Sequence, residues 1–138
     1  MELIADTTVL IDLWRFKREK SRISDLLGKV GHASLIVPWI TQAEFSRGAL
    51  YKGVSPDKLQ AFYQSFLLLA LDQQTIDQYC ELWGSMARAG NAPDYPDLWI
   101  AACAASRGVP VLTRNKAHFE HVPGLSVVSY KLADKNEK

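Results

Sequence analysis

The chain has 138 residues, 48% of them hydrophobic and 22% charged, with a formal net charge of +1. That length fits one domain, residues 1–138, and a domain this size buries roughly 68–70% of its unfolded surface, so no disulfide or metal staple is needed. The composition excludes a disordered chain, and the near-neutral charge excludes a uniformly basic nucleic-acid binder, leaving any such binding to a local patch.

The first residues, Met1-Glu2-Leu3-Ile4-Ala5-Asp6, carry neither a basic leader nor a long apolar run, so no signal peptide is expected. No apolar stretch approaches the ~18 residues needed to span a bilayer, and a cytoplasmic protein without membrane contact is expected. Cys80 and Cys103 lie among apolar residues outside any Cys-x-x-Cys pattern. Both are expected to be buried, reduced thiols.

In chain order, Leu3-Ile4-Ala5 is a short strand ending at Asp6. Val9, Leu10, Leu13 and Trp14 then recur on one helical face. Charges dominate from Arg15 to Arg22, and a short helix follows around Ser24 to Lys29. Leu35-Ile36-Val37 is the second strand, closed by Pro38, and Thr41 to Leu50 reads as helix. Ser55-Pro56 has the N-cap and first-position pairing of a helix start, running to about Gln64. Phe66 to Leu71 is the third strand, because Asp72 starts a new helix that reaches about Ala89. Gly90 to Pro96 is a loop. Pro96 opens an Ala-rich helix to about Ser106, ended by Gly108. Val109 to Thr113 is the fourth strand, Asn115 to Phe119 a helical turn, and Leu125 to Val128 the fifth strand. Residues 131–138 read as a charged tail.

Strands alternating with helices imply an α/β fold: a three-layer α/β/α sandwich around a mostly parallel, about five-stranded sheet. Strands this apolar are expected to be buried on both faces.

Ligands of open α/β sheets bind beyond the carboxyl ends of the strands. Asp6 directly follows strand one, Glu44 lies one turn into the helix after strand two, and Asp97 opens the helix before strand four. Each also has a structural reading. Asp6 can cap the first helix, Glu44 can complete a Thr41-x-x-Glu44 capping box, and Asp97 can complement a helix dipole. Gathered at one edge, three carboxylates repel one another unless a cation is present. Oxygen ligands suit Mg²⁺ or Mn²⁺, which makes phosphodiester hydrolysis the natural reaction class. His118 and His121 at i, i+3 are weak evidence for zinc, and no phosphate-binding glycine loop or nucleophile elbow occurs.

Four blocks carry a resemblance across nearly the whole chain. They are Leu3-Ile4-Ala5-Asp6-Thr7-Thr8-Val9-Leu10-Ile11-Asp12, Thr41-Gln42-Ala43-Glu44-Phe45, Pro96-Asp97-Leu98-Trp99-Ile100-Ala101-Ala102 and Val111-Leu112-Thr113-Arg114-Asn115. In order and spacing the chain resembles the PIN-domain ribonucleases, specifically VapC-type toxins of bacterial toxin–antitoxin pairs. The resemblance implies a metal-dependent endoribonuclease that hydrolyses RNA phosphodiester bonds with a metal-activated water. It makes Asp6, Glu44 and Asp97 the metal-site acids, with Glu44 reaching the ion directly or through water. It makes Thr113 a hydroxyl neighbour orienting Asp6, and matches Asn115 to a recurrent Asn. One departure stands out: three residues after that Asn, where the family often carries an acid, this chain has His118. Asp94 is the candidate replacement.

The run Arg15-Phe16-Lys17-Arg18-Glu19-Lys20-Ser21-Arg22 holds five basic residues in eight. Arg15, Lys17 and Arg18, with Arg114 and Lys116, are the leading RNA-contact candidates; Arg47, Lys52, Arg88 and Arg107 could extend the groove. The alternative is a solvated helix face. The resemblance also implies a homodimer, and a VapB-type antitoxin whose tail lies along the acidic groove, with Trp14, Phe16 and Trp39 as candidate apolar contacts. DNA would be met only through that complex. Two competing readings are a weakly active PIN-like module working mainly inside a DNA-bound toxin–antitoxin complex, and a receiver-type phosphoacceptor domain. The second wants an acid pair at the end of strand one, where only Asp6 stands.

Overall fold

The computed structural model describes residues 1–91 and 95–134. Among them the order is β1 (Glu2–Ala5), α1 (Thr7–Arg15), a 3-10 turn (Lys20–Ile23), α2 (Ser24–Val30), β2 (Ser34–Pro38), α3 (Trp39–Tyr51), α4 (Pro56–Tyr63), β3 (Leu67–Leu69), α5 (Gln73–Arg88), α6 (Tyr95–Arg107), β4 (Val111–Thr113), a second 3-10 turn (Lys116–His118) and β5 (Val127–Ser129). The described strands form one sheet in the order β3-β2-β1-β4-β5. Every pairing is parallel, with Ile4 opposite Ile36 on one side and Val111 on the other.

The α/β sandwich expected from the strand–helix alternation is therefore present. Alternating strand residues feed two cores. Leu3, Ala5, Leu35, Val37 and Leu112 pack with α1, α2, α3 and α4. Ile4, Ile36 and Val111 face the other way, onto α5 and α6. β1 lies at the centre, and the chain winds outward from it through β2 to β3, then returns to β4 and β5 on the opposite flank. The reversal opens a crevice at the carboxyl ends of β1 and β4, where α/β folds take their ligands.

Local chemistry accounts for the helix starts. Asp6, Ser55 and Asp72 each sit in extended backbone and accept from the N–H of the third residue onward, as N-caps do. α3 is different. It begins at Trp39 with no side-chain cap, because Thr41 lies inside the helix and donates its hydroxyl to the Ala5 carbonyl at 2.9 Å. The Thr41–Glu44 capping box is therefore not formed, and Glu44 is available for other contacts.

Two burial expectations are corrected. β3 is an edge strand, paired with β2 on one flank and open on the other, and Leu67 and Leu68 are half exposed. Cys80 is exposed on α5, whereas Cys103 on α6 is buried and its thiol is pushed up to about 11 by burial. The start of the charged tail is tied down: Ala133 donates its N–H to the Arg22 carbonyl and Lys131 donates to Asp25.

Candidate active site

Asp6 leaves the end of β1 into the crevice. Its backbone N–H donates to the Leu112 carbonyl at 3.2 Å, which fixes it against β4. The residue is only 4% exposed. Its Oδ1 accepts from the Thr8 hydroxyl at 2.5 Å and from the Val9 N–H at 3.4 Å. Oδ2 accepts from the Thr113 hydroxyl at 2.5 Å. Asp6 is thus a helix cap and a crevice acid at once. Burial raises its carboxyl above the ordinary value, while the Thr113 and Thr8 hydroxyls oppose that rise.

Glu44 reaches the same edge from α3. Its Oε1 accepts from the Thr7 hydroxyl at 2.7 Å, so adjacent residues of one segment hold Asp6 and steady Glu44. Asp97 sits in the first turn of α6, whose amino end points at the carboxyl edge of the sheet. His118, in the turn after β4, places Nδ1 3.2 Å from Asp97 Oδ2. The imidazole at the family's usual acid position therefore faces one of the candidate acids. Asp94, the proposed replacement, lies outside the described residues. Asn115 donates its backbone N–H to Thr113 Oγ1 at 2.9 Å, which places it beside the Asp6 support.

The donor set is suited to a hard cation. Asp6 Oδ2 accepts a single hydrogen bond among the described residues, leaving a lone pair of a buried carboxylate for an ion. Among the described residues no three His, Cys, Asp or Glu side chains stand together closely enough to share one ion. Asp6, Glu44 and Asp97 thus face one edge of the sheet without being gathered around a single ion position.

A buried cluster that the motifs left out stands behind the acids. Asp12, fully buried on α1, accepts from Arg114 Nε at 2.8 Å and Nη2 at 3.3 Å, and from the Tyr130 hydroxyl at 2.6 Å. The bond to Asp12 holds the Arg114 guanidinium above its usual range, and burial, then Asp12, push the Tyr130 phenol upward. Asp12 was in view as part of the first block, but its partners lie 102 and 118 positions away, beyond any local spacing.

The basic candidates divide. Arg15 and Lys52 line a groove of about 580 Å³ between α1 and α3, together with Ile11, Trp14, Phe45 and Glu44. Lys17 Nζ stacks 3.8 Å over the Trp14 ring, and Arg22 lies over Phe16 while donating to the Ala133 carbonyl. Arg18 and Lys116 are exposed. Arg107 pairs with Glu2 at the amino end of β1, the wrong end of the sheet for the crevice. Among the apolar candidates, Phe16 is buried and unavailable to a partner. Trp39 packs edge-on against Trp99, and Trp14 is half-buried against Phe45 and Phe62.

A parallel α/β sheet with carboxylates at its central crevice defines a class of acid-site proteins, and comparison with known proteins narrows it. The family model of the PIN domain matches residues 3–125, and the chain belongs to that family. It is 28% identical over 129 residues, 94% of this chain and 87% of the relative, to Ribonuclease VapC1 of Methanocaldococcus jannaschii. It is 32% identical over 92 residues, 64% of this chain and 69% of the relative, to the tRNA(fMet)-specific endonuclease VapC of Salmonella typhimurium. Among solved structures it superposes on DNA-bound VapBC from Salmonella typhimurium with a TM-score of 0.78 and 26% identity, covering 94% of this chain and 98% of the other.

Proposed function

We propose that residues 1–138 form one PIN-like domain acting as a cytoplasmic, metal-dependent endoribonuclease, the toxin of a VapBC-type pair. The observation that carries this reading is the buried Asp6 carboxylate, held between β1 and β4 by the Thr8 and Thr113 hydroxyls, with Glu44 steadied by the adjacent Thr7. Two VapC relatives whose names state a nuclease activity support it.

Asp6, Asp97 and Glu44, the last directly or through water, would hold Mg²⁺ or Mn²⁺. Such an ion supplies charge stabilisation at the phosphoryl oxygens and makes water a usable nucleophile near neutral pH. Thr113 and Thr8 fix the Asp6 carboxyl in orientation and oppose the rise that burial imposes on it. Glu44 shares a groove with Arg15 and Lys52, whose charges suit an RNA backbone. Arg18 and Lys116 are further candidates for phosphate contact. A VapB-type antitoxin, a homodimer, and DNA contact through that complex belong to the same reading. Calorimetric titration of Mn²⁺ tests it: wild type binds, Asp6→Asn and Asp97→Asn lose binding by tenfold or more, and equal affinity in all three would contradict the assignment.

One observation favours a second reading. His118 stands at the family's usual fourth-acid position and contacts Asp97, as expected of a weakly active module working mainly within a DNA-bound complex. His118→Asp separates the two: a large gain in RNA cleavage favours the module, and little change favours the competent enzyme.

A further inference from the structure

Arg114 is, by sequence, a phosphate-contact candidate, yet its guanidinium, on a side chain 32% exposed, is engaged by a buried carboxylate. Two of its nitrogens bind both oxygens of Asp12, and Tyr130 donates to the same carboxylate. An arginine in a two-bond pairing with a buried carboxylate is fixed in orientation, more so than a single contact would achieve. The guanidinium thereby ties the segment after β4 to the middle of α1.

That segment carries two backbone donors aimed at the supports of Asp6. The Arg114 N–H donates to Thr8 Oγ1 at 3.3 Å, and the Asn115 N–H donates to Thr113 Oγ1 at 2.9 Å. Each hydroxyl has one proton. With a peptide N–H directed at its oxygen, that proton is left to point at the carboxylate, and both do: Thr8 to Oδ1 and Thr113 to Oδ2. Two parallel relays, peptide N–H to hydroxyl to carboxylate, thus converge on Asp6 from one short segment, and the salt bridge to Asp12 holds that segment in place.

We infer that Arg114, clamped by Asp12 and Tyr130, is a positioning residue for Asp6 and not an RNA contact. The clamp sets the two peptide groups that orient the Thr8 and Thr113 hydroxyls, and so fixes the Asp6 oxygens for an incoming cation. The inference rests on the proposed role of Asp6 in metal binding.

Two measurements test it. In Arg114→Ala, whose side chain is 32% exposed in the wild type, Mn²⁺ affinity measured by calorimetry falls about tenfold or more, as for loss of a group orienting a ligand. Its kcat for RNA cleavage falls with it, while KM changes less than about twofold and the salt dependence of RNA binding keeps its slope. A phosphate contact would behave oppositely, with unchanged Mn²⁺ affinity, a raised KM and a salt slope reduced by about one; that result overturns the inference. The clamp is also read without metal or substrate. Amide hydrogen exchange at Arg114 and Asn115 quickens in Asp12→Asn and in Tyr130→Phe, relative to the Ile4 amide bonded to the Pro110 carbonyl. Unchanged exchange in folded Tyr130→Phe and Asp12→Asn would refute the clamp. If wild type binds no Mn²⁺, the metal-site reading falls, and the exchange data still judge the clamp.

Discussion

The hydroxyl of Thr113 donates to Asp6 Oδ2 over 2.5 Å, joining the ends of two neighbouring strands across 107 positions of chain. Both residues are buried. A bond to a buried carboxylate contributes about 1.5–3 kcal/mol, and removing its donor leaves a charge poorly solvated. Thr113→Val is therefore expected to lower unfolding free energy by about that amount in chemical denaturation. It should also weaken Mn²⁺ binding about tenfold, as loss of a ligand-orienting bond does. Serine at the same position should restore most of both.

Metal-linked stability should depend on pH in a defined direction. Burial raises the folded Asp6 carboxyl above its unfolded value of 3.8. For a raised acid, the stability contribution is fully present below the unfolded pKa and is lost as pH rises through the folded one. The ionised, metal-free form is thus the less stable one, and it is also the form a cation needs. The rise in Tm on adding Mn²⁺ should be largest near neutral pH and vanish as pH falls towards 4. A pH-independent rise would place the bound ion elsewhere.

The two cysteines should differ in reactivity. Cys80 is exposed, while burial pushes the Cys103 thiol up to about 11. At pH 8, one thiol per chain should react quickly with a disulfide reagent and the second only on unfolding. Cys80→Ser should abolish the fast phase.

Helix starts and strands could be read locally because their signals span few residues. Asp6, Ser55 and Asp72 each precede a helix and cap it through the residue three positions on. The runs read as strands at residues 3–5, 35–37 and 109–113 hold the three central strands, the last shortened to Val111–Thr113. Asp6 and Thr113 could be paired by resemblance, and they touch. What local spacing did not carry was competition between partners. Thr41 had a capping-box pattern with Glu44, but the nearby Ala5 carbonyl takes its hydroxyl and Thr7 takes Glu44. Arg114 looked like surface charge because Asp12 and Tyr130 meet it only after the sheet has closed. Leu67 and Leu68 had the apolar look of a buried strand, and only the strand order places them at an edge.

Core packing beneath the site should be sensitive to truncation. Leu112, fully buried on β4, carries the carbonyl that receives the Asp6 N–H and immediately precedes Thr113. Leu112→Ala should cost about 2–5 kcal/mol by denaturation, the range for a leucine lost from a packed core.

The most direct test of the central claim is cleavage of total cellular RNA by wild type and Asp97→Asn, each with Mg²⁺, with Mn²⁺ and with EDTA. The account predicts discrete fragments from wild type with either ion, none with EDTA, and none from Asp97→Asn under any condition. Equal cleavage by the folded Asp97→Asn variant, or cleavage that persists in EDTA, would contradict it.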